Sequence, residues 1–228
     1  MPKVKGPDMM VLEADSLLAS PWLPTSRVME PYDWQDVFGN GHPVEIDLGS
    51  GDGGFILDRA RRHPQRNFLA VERLLGRARK ITKRIVRDDL RNLKVLRLES
   101  FYVVKWLCPP DSLDVVHIMF PDPWPKKRHH KRRLIQPHLL SALGIALSSR
   151  GTVRFSTDHE EYSEWARAVW QGSADWKELP MWDFEEDAPS EFQLLWQSEG
   201  KLTHRLHYQI NSSRVLDATQ SQTNINST

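Results

Sequence analysis

Asp122 is the carboxylate with the most unusual neighbours in this sequence. It lies in Phe120-Pro121-Asp122-Pro123-Trp124-Pro125, and an unbroken basic run, Lys126-Lys127-Arg128-His129-His130-Lys131-Arg132-Arg133, follows at once. Prolines restrict the backbone on either side, so an acid and an aromatic plate are held with little further loss of chain entropy. The basic run has no acidic partner close by in sequence and would draw in a polyanion. A rigid acid beside a phosphate-seeking strip points to chemistry on a nucleic acid.

A second set of acids is spaced for a small cationic ligand. Asp47-Leu48-Gly49-Ser50-Gly51-Asp52-Gly53-Gly54 has small residues where a strand turns into a helix, which lets a ligand approach the backbone and the helix N-terminus. Such a turn by itself is shared by dehydrogenases and nucleoside-cofactor enzymes. Glu72 follows about twenty residues after the glycines, where a carboxylate can accept both hydroxyls of a ribose. The glycine order is not the Gly-x-Gly-x-x-Gly of dinucleotide sites, and Asp47 would repel a pyrophosphate while welcoming an ammonium group. With Glu99 at a third strand end, Asp47 and Glu72 suit S-adenosylmethionine, whose sulfonium and amino groups are positive. Glu99 reads equally as an exposed strand-end acid.

Two other features have both a structural and a functional reading. In Ser156-Thr157-Asp158-His159-Glu160-Glu161, either Thr157 with Glu160 or Asp158 with Glu161 makes a capping box, which alone accounts for Asp158. Arg77, Lys80, Arg84, Arg87 and Arg91 share one helix face opposite Ala78, Ile81 and Ile85, as a solvated surface helix would, and would contact RNA if that face lay near the basic run.

The elements that must hold these residues alternate along the chain. Strands are expected at 44–48, 67–71, 93–98, 113–120 and 151–155, with helices at 53–62, 74–90 and 136–149. That order is an α/β, Rossmann-like, doubly wound and mostly parallel sheet. Runs at 192–196 and 202–210, joined by Ser198-Glu199-Gly200-Lys201, read as an antiparallel hairpin closing it. Residues 1–43 form a proline-punctuated arm with aromatic anchors Trp22, Tyr32 and Trp34; 44–210 form the domain; 211–228 read as a polar, disordered tail. The 228 residues carry a net charge of +1, so the basic strip is a local docking surface on a balanced protein. A single cysteine, Cys108, excludes an internal disulfide and a cysteine zinc site and fits a reducing cytoplasm. No metal is expected, and no apolar run reaches membrane-spanning length. A monomer and a homodimer are both compatible with the sequence.

From Val44 to Tyr208 the sequence resembles the bacterial tRNA (guanine-N7-)-methyltransferases. The resemblance rests on the stretch 120–133 and on Ser156-Thr157-Asp158-His159-Glu160-Glu161-Tyr162. It implies an S-adenosylmethionine-dependent enzyme that methylates guanosine at position 46 of the tRNA variable loop. By residue-wise match it puts Asp47, Glu72, Glu99 and Asp122 at the cofactor, with Asp122 also at the active site; Gly49 and Gly51 join them as the turn on which the cofactor would lie. It puts Lys126, Arg128, His129, His130, Lys131, Arg132, Arg133 and Asp158 on the tRNA. A family Thr-x-Tyr/Phe-Glu motif aligns with Ser190-Glu191-Phe192-Gln193. Asp47 stands where the family has Glu, Glu99 where it has Asp, and Gln193 where it has a carboxylate. Two other classes stay open at this level: a methyltransferase acting on an exocyclic amine or small molecule, and a non-catalytic RNA-binding module on the same fold.

Overall fold

The computed structural model describes residues 14–25, 29–182 and 202–211. The motif 190–193, the expected strand at 192–196 and the tail from Ser212 lie outside the described residues. Four short strands, β1 (Val44–Leu48), β2 (Asn67–Val71), β3 (Leu93–Leu96) and β4 (Leu113–Met119), are buried almost throughout and pair in parallel. Strands covered on both faces need apolar side chains on both, and these supply them. Phe68 and Ala70 enter the core on one face of β2, Leu69 and Val71 the core on the other.

On the first face lie α3 (Gly54–Arg62) and α4 (Leu75–Arg87), which bury Phe55, Ile56 and Ala60, and Ala78, Ile81 and Ile85, respectively. On the second face lie α6 (Pro137–Ala146) and α7 (Glu160–Gln171). They share that core with α1 (Ala14–Ala19), α2 (Trp34–Phe38) and the one-turn α5 (Ser100–Tyr102) continuing into a π-helical Val103–Leu107.

The strand order is β3-β2-β1-β4-β5-β7-β6, with β5 (Leu147–Thr157), β6 (Trp176–Glu178) and β7 (His204–Ile210) completing a seven-stranded sheet. Chain order reverses direction across the sheet between β1 and β4, which opens a crevice at their carboxyl ends. β7 runs antiparallel between β5 and β6, so the described partner on its outer side is Trp176–Glu178, a strand too short to announce itself in sequence.

Helix α6 stops at Ala146, short of the expected 149, because Leu147 already pairs with Leu113. The register then jumps to Val115 with Thr152, and Gly151 sits where a Cβ would lie 2.7 Å from the Leu113 carbonyl.

The N-terminal segment closes the β3 edge. Leu23 N donates to Val95 O at 2.9 Å and Val95 N to Pro21 O at 2.7 Å. Buried Lys94 donates from Nζ to the carbonyls of Leu17, Leu18 and Ser20. Covering an exposed edge in this way prevents strand addition by another chain. Trp34 Nε1 donates to Ser112 Oγ, and Tyr32 stacks on Trp34.

Candidate active site

The carboxyl ends of β1, β2, β4 and β5 open into two adjoining cavities. One, of about 450 Å³, is lined by Asp47, Gly49, Gly51, Asp122 and Asp158 among others. Its neighbour, of about 220 Å³, is lined by Glu72, Glu99, Trp124 and Arg132. Gly49, Arg77, Phe120, Pro121 and Asp122 border both.

The glycine turn owes its shape to backbone angles. Gly49 and Gly51 adopt φ of 88° and 59°, a region that side-chain-bearing residues rarely enter, and a Cβ on either would point into open space. Both line the larger cavity, so a ligand can lie directly on the main chain there.

Asp47 is 2% exposed, and its Oδ1 has no hydrogen-bond partner among the described residues. Burial pushes its carboxyl up to about 7; a Ser50 hydrogen bond opposes this and the Glu72 charge adds to it. A buried carboxylate with an unfilled acceptor is costly until a donor arrives, and a cationic donor fits it best. Glu72 is buried too, and is taken up by the main chain: Oε2 accepts from Gly51 N at 2.9 Å and Oε1 from Leu74 N at 2.7 Å. Each oxygen keeps a lone pair for a hydroxyl, with the carboxylate already oriented. Glu99 is exposed and caps α5, accepting from Phe101 N and Tyr102 N. Its two sequence readings therefore coincide, since the capping carboxylate also lines the smaller cavity.

Beneath Asp47 on the same face of β1 lies a buried network with no counterpart in the sequence reading. Glu45, fully buried, receives Arg59 at 2.5 Å, His117 Nε2 at 2.8 Å and Arg66 at 3.1 Å. Burial would raise the Glu45 carboxyl, but the hydrogen bonds and charges of His117 and Arg59 hold it well below the usual carboxylate range. Burial lowers His117 to about 4 against the pull of Glu45, so the imidazole is neutral and donates from Nε2. In sequence the network shows only as a second acid, Glu45, two residues before Asp47 in β1.

Asp122 is exposed at the junction of the two cavities. Its turn is strained: Phe120 and Trp124 adopt φ of 51° and 45°, and each precedes a proline. Such conformations cost on the order of 1–3 kcal/mol per residue and persist only where surrounding contacts enforce them. Trp124 is half-buried, with the Arg132 guanidinium 5.0 Å from its ring centre and the His129 ring edge-on to it.

The basic run is not a uniform strip. Lys127–Arg132 wind into one 3₁₀ stretch that turns Lys127, Arg128, Lys131 and Arg132 outward, with Lys126 exposed just before it. His130 is half-buried against Trp165, with Nε2 3.6 Å from Glu161. Arg133 departs from its expected place on the RNA: it is 2% exposed, donates from Nη2 to Glu161 at 3.0 Å, and faces the interior. The acidic partner missing from the local sequence is thus Glu161, brought in by α7.

Asp158 lines the larger cavity, half-buried. Neither expected capping box forms. His159 is the N-cap, its Nδ1 accepting from Tyr162 N, while His159 N donates to Thr157 Oγ1. Asp158 is therefore released from the structural role that could have explained it. Arg73 and Ser100 also border the smaller cavity and went unnoticed in the sequence; Arg77, grouped there with a solvated helix face, borders both.

The seven-stranded sheet has the class I methyltransferase fold, with the crevice at the carboxyl ends of its strands. Solved structures of similar shape include the 16S rRNA methyltransferase KamB (TM-score 0.60, 18% identity, 80% of this chain and 95% of that one). Another is the antibiotic-resistance methyltransferase Kmr (TM-score 0.53, 17% identity, 79% and 93%). The Methyltransf_4 methyltransferase family model matches residues 41–206. A tRNA (guanine-N(7)-)-methyltransferase of Enterococcus faecalis is 31% identical over 178 residues, 76% of this chain and 83% of that protein. One from Thermotoga maritima is 32% identical over 175 residues, and the matched part spans 56% of its length and 76% of this chain. The chain belongs to this methyltransferase family.

Proposed function

We propose that this protein methylates guanine N7 at position 46 in the variable loop of tRNA. The observation that carries the reading is the meeting of Asp122 and Asp158 in one cavity with Asp47 and the glycine turn, next to a cavity whose lip includes Arg132 of the outward-facing basic run. S-adenosylmethionine, when bound, supplies an electrophilic methyl on a sulfonium. Asp47 would take its ammonium group, Glu72 its ribose hydroxyls, Gly49 and Gly51 its close approach to the main chain, and Glu99 the adenine side.

Guanine N7 already presents a lone pair, so the protein needs no general base to make a nucleophile. Its work is to orient the base and to stabilise the positive charge that the ring gains. Asp122, fixed between prolines, is the carboxylate for that charge. At ~4 Å and an effective dielectric of ~20 the attraction is about 4 kcal/mol before desolvation. Asp158 would accept the ring and amino hydrogens of guanine. Lys126, Arg128, His129, Lys131 and Arg132 would hold tRNA phosphates while the base leaves its tertiary stack. All these groups belong to one chain, so the reading holds for a monomer or a homodimer. A tRNA substrate fits a cytoplasmic enzyme.

The test is incubation with labelled S-adenosylmethionine and bulk tRNA lacking the modification, then mapping of the methylated base. N7-methylguanosine at that position is expected. A methylated exocyclic amine, or RNA binding with no transfer, would refute the reading.

A further inference from the structure

Arg133 ends the basic run, yet its charge is directed at the protein. Nε donates to the Pro123 carbonyl at 2.9 Å and Nη2 to Glu161 Oε2 at 3.0 Å. The guanidinium centre lies 5.0 Å from the Tyr162 ring and 5.3 Å from the Trp165 ring. We propose that Arg133 is a positioning residue that ties the Asp122 turn to helix α7, fixing Asp122 relative to Asp158. The kinetic part of this proposal rests on the functional reading above.

The Pro123 carbonyl belongs to the peptide unit that joins Pro123 to Trp124. Its orientation sets ψ of Pro123 and φ of Trp124, and Trp124 is one of the two strained residues of the turn. A peptide unit with strain to lose rotates unless something holds its oxygen, and Nε–H of Arg133 holds it. At the other end, Glu161 lies in the first turn of α7, within one helical turn of Asp158. The same helix grips the segment after Arg133: Tyr162 Oη accepts from Ile135 N at 3.2 Å, and Trp165 Nε1 donates to Ile135 O at 3.0 Å. The segments that carry Asp122 and Asp158 are therefore linked through one buried guanidinium. Moving Arg133 out to a phosphate would break both its hydrogen bonds and strip two aromatic faces of their cation. Lysine keeps the charge but cannot span two acceptors with a planar fork.

Arg133→Lys is the test, read in two ways. In the protein alone, backbone amides of Asp122, Trp124 and Lys126 are expected to exchange with deuterium about tenfold faster than in the wild type. In the methylation assay kcat is expected to fall about tenfold or more, with KM for tRNA and its salt dependence unchanged. Glu161→Gln keeps an acceptor at an exposed position, so its fold is secure, and it should shift both readouts the same way by less. Unchanged exchange in both variants overturns the proposal. So does a shallower salt dependence with unchanged kcat in Arg133→Lys, which would return Arg133 to the RNA. The exchange readout needs no RNA, so a wild-type protein that methylates no tRNA sinks the functional reading while exchange still decides the clamp.

Discussion

The two halves of the crevice hold their charges in opposite ways. At the ends of β1 and β2 the acids are buried: Asp47 is desolvated with an oxygen left over, and Glu72 is bound by main-chain N–H groups. At the end of β4 the charges are exposed, and order comes from a strained backbone held by prolines and α7. Buried charge responds to protons, because desolvation moves pKa values. Exposed charge responds to salt, because ions screen it. One half should therefore be a pH-sensitive binding site and the other a salt-sensitive docking surface.

The largest expected effect tests the point where the halves meet. Asp122→Ala should lower kcat about a thousandfold while leaving tRNA affinity within twofold, as measured by tritiated-methyl transfer and filter binding. An active variant would remove Asp122 from the chemistry.

The next test isolates protons. Lowered burial-shifted His117 stays neutral in the folded state down to about 4, so its contribution is complete above 6.5 and is lost as pH falls below that value. Asp47, raised to about 7, has the reverse sign: the fold gains as pH drops through 7. Between pH 6.5 and 5 each amounts to roughly 2 kcal/mol, so the two offset each other in the unliganded protein. Asp47→Asn should expose the loss, its denaturant midpoint falling over that interval while the wild type stays nearly flat.

Binding sharpens the same contrast. Wild-type affinity for S-adenosylmethionine should weaken as pH falls through about 7, towards tenfold per pH unit, because Asp47 must be ionised to receive a cation. Asp47→Asn should bind more weakly with no such slope in a calorimetric titration. The smallest effect belongs to the lip. Lys127→Ser and Lys131→Ser should each cut tRNA affinity several-fold and reduce the log–log salt slope by about 0.7–0.9, with cofactor affinity unmoved. A salt-dependent Asp47→Asn phenotype, or a pH-dependent lysine one, would break the division.

What could be read from sequence divides along similar lines. Glycines between a strand and a helix, acids at strand ends and 3.6-residue periodicity are local patterns; they marked out the parallel strands along the chain and pointed to Asp47, Gly49, Gly51 and Glu72, which the structure brings to the same crevice. Inside-versus-outside assignments within the basic run were not local. Arg133 and Lys131 are indistinguishable until α7 brings Glu161, Tyr162 and Trp165 against one of them. The same holds for Glu45, whose partners Arg59 and His117 come from other elements. The capping boxes failed for a nearer reason: His159 also has an acceptor nitrogen, and its position suits the helix better.

The seal on the β3 edge has a consequence for how the protein is made. Lys94 and the Leu17 carbonyl it meets are 77 residues apart. At synthesis rates of about 5–20 residues per second, residues 17–20 wait roughly 4–15 s for the lysine that fixes them. Because residues 17–23 precede the edge they cover, their carbonyls are already synthesised when Lys94 and Val95 emerge, and the edge need not wait for any later part of the chain to be sealed.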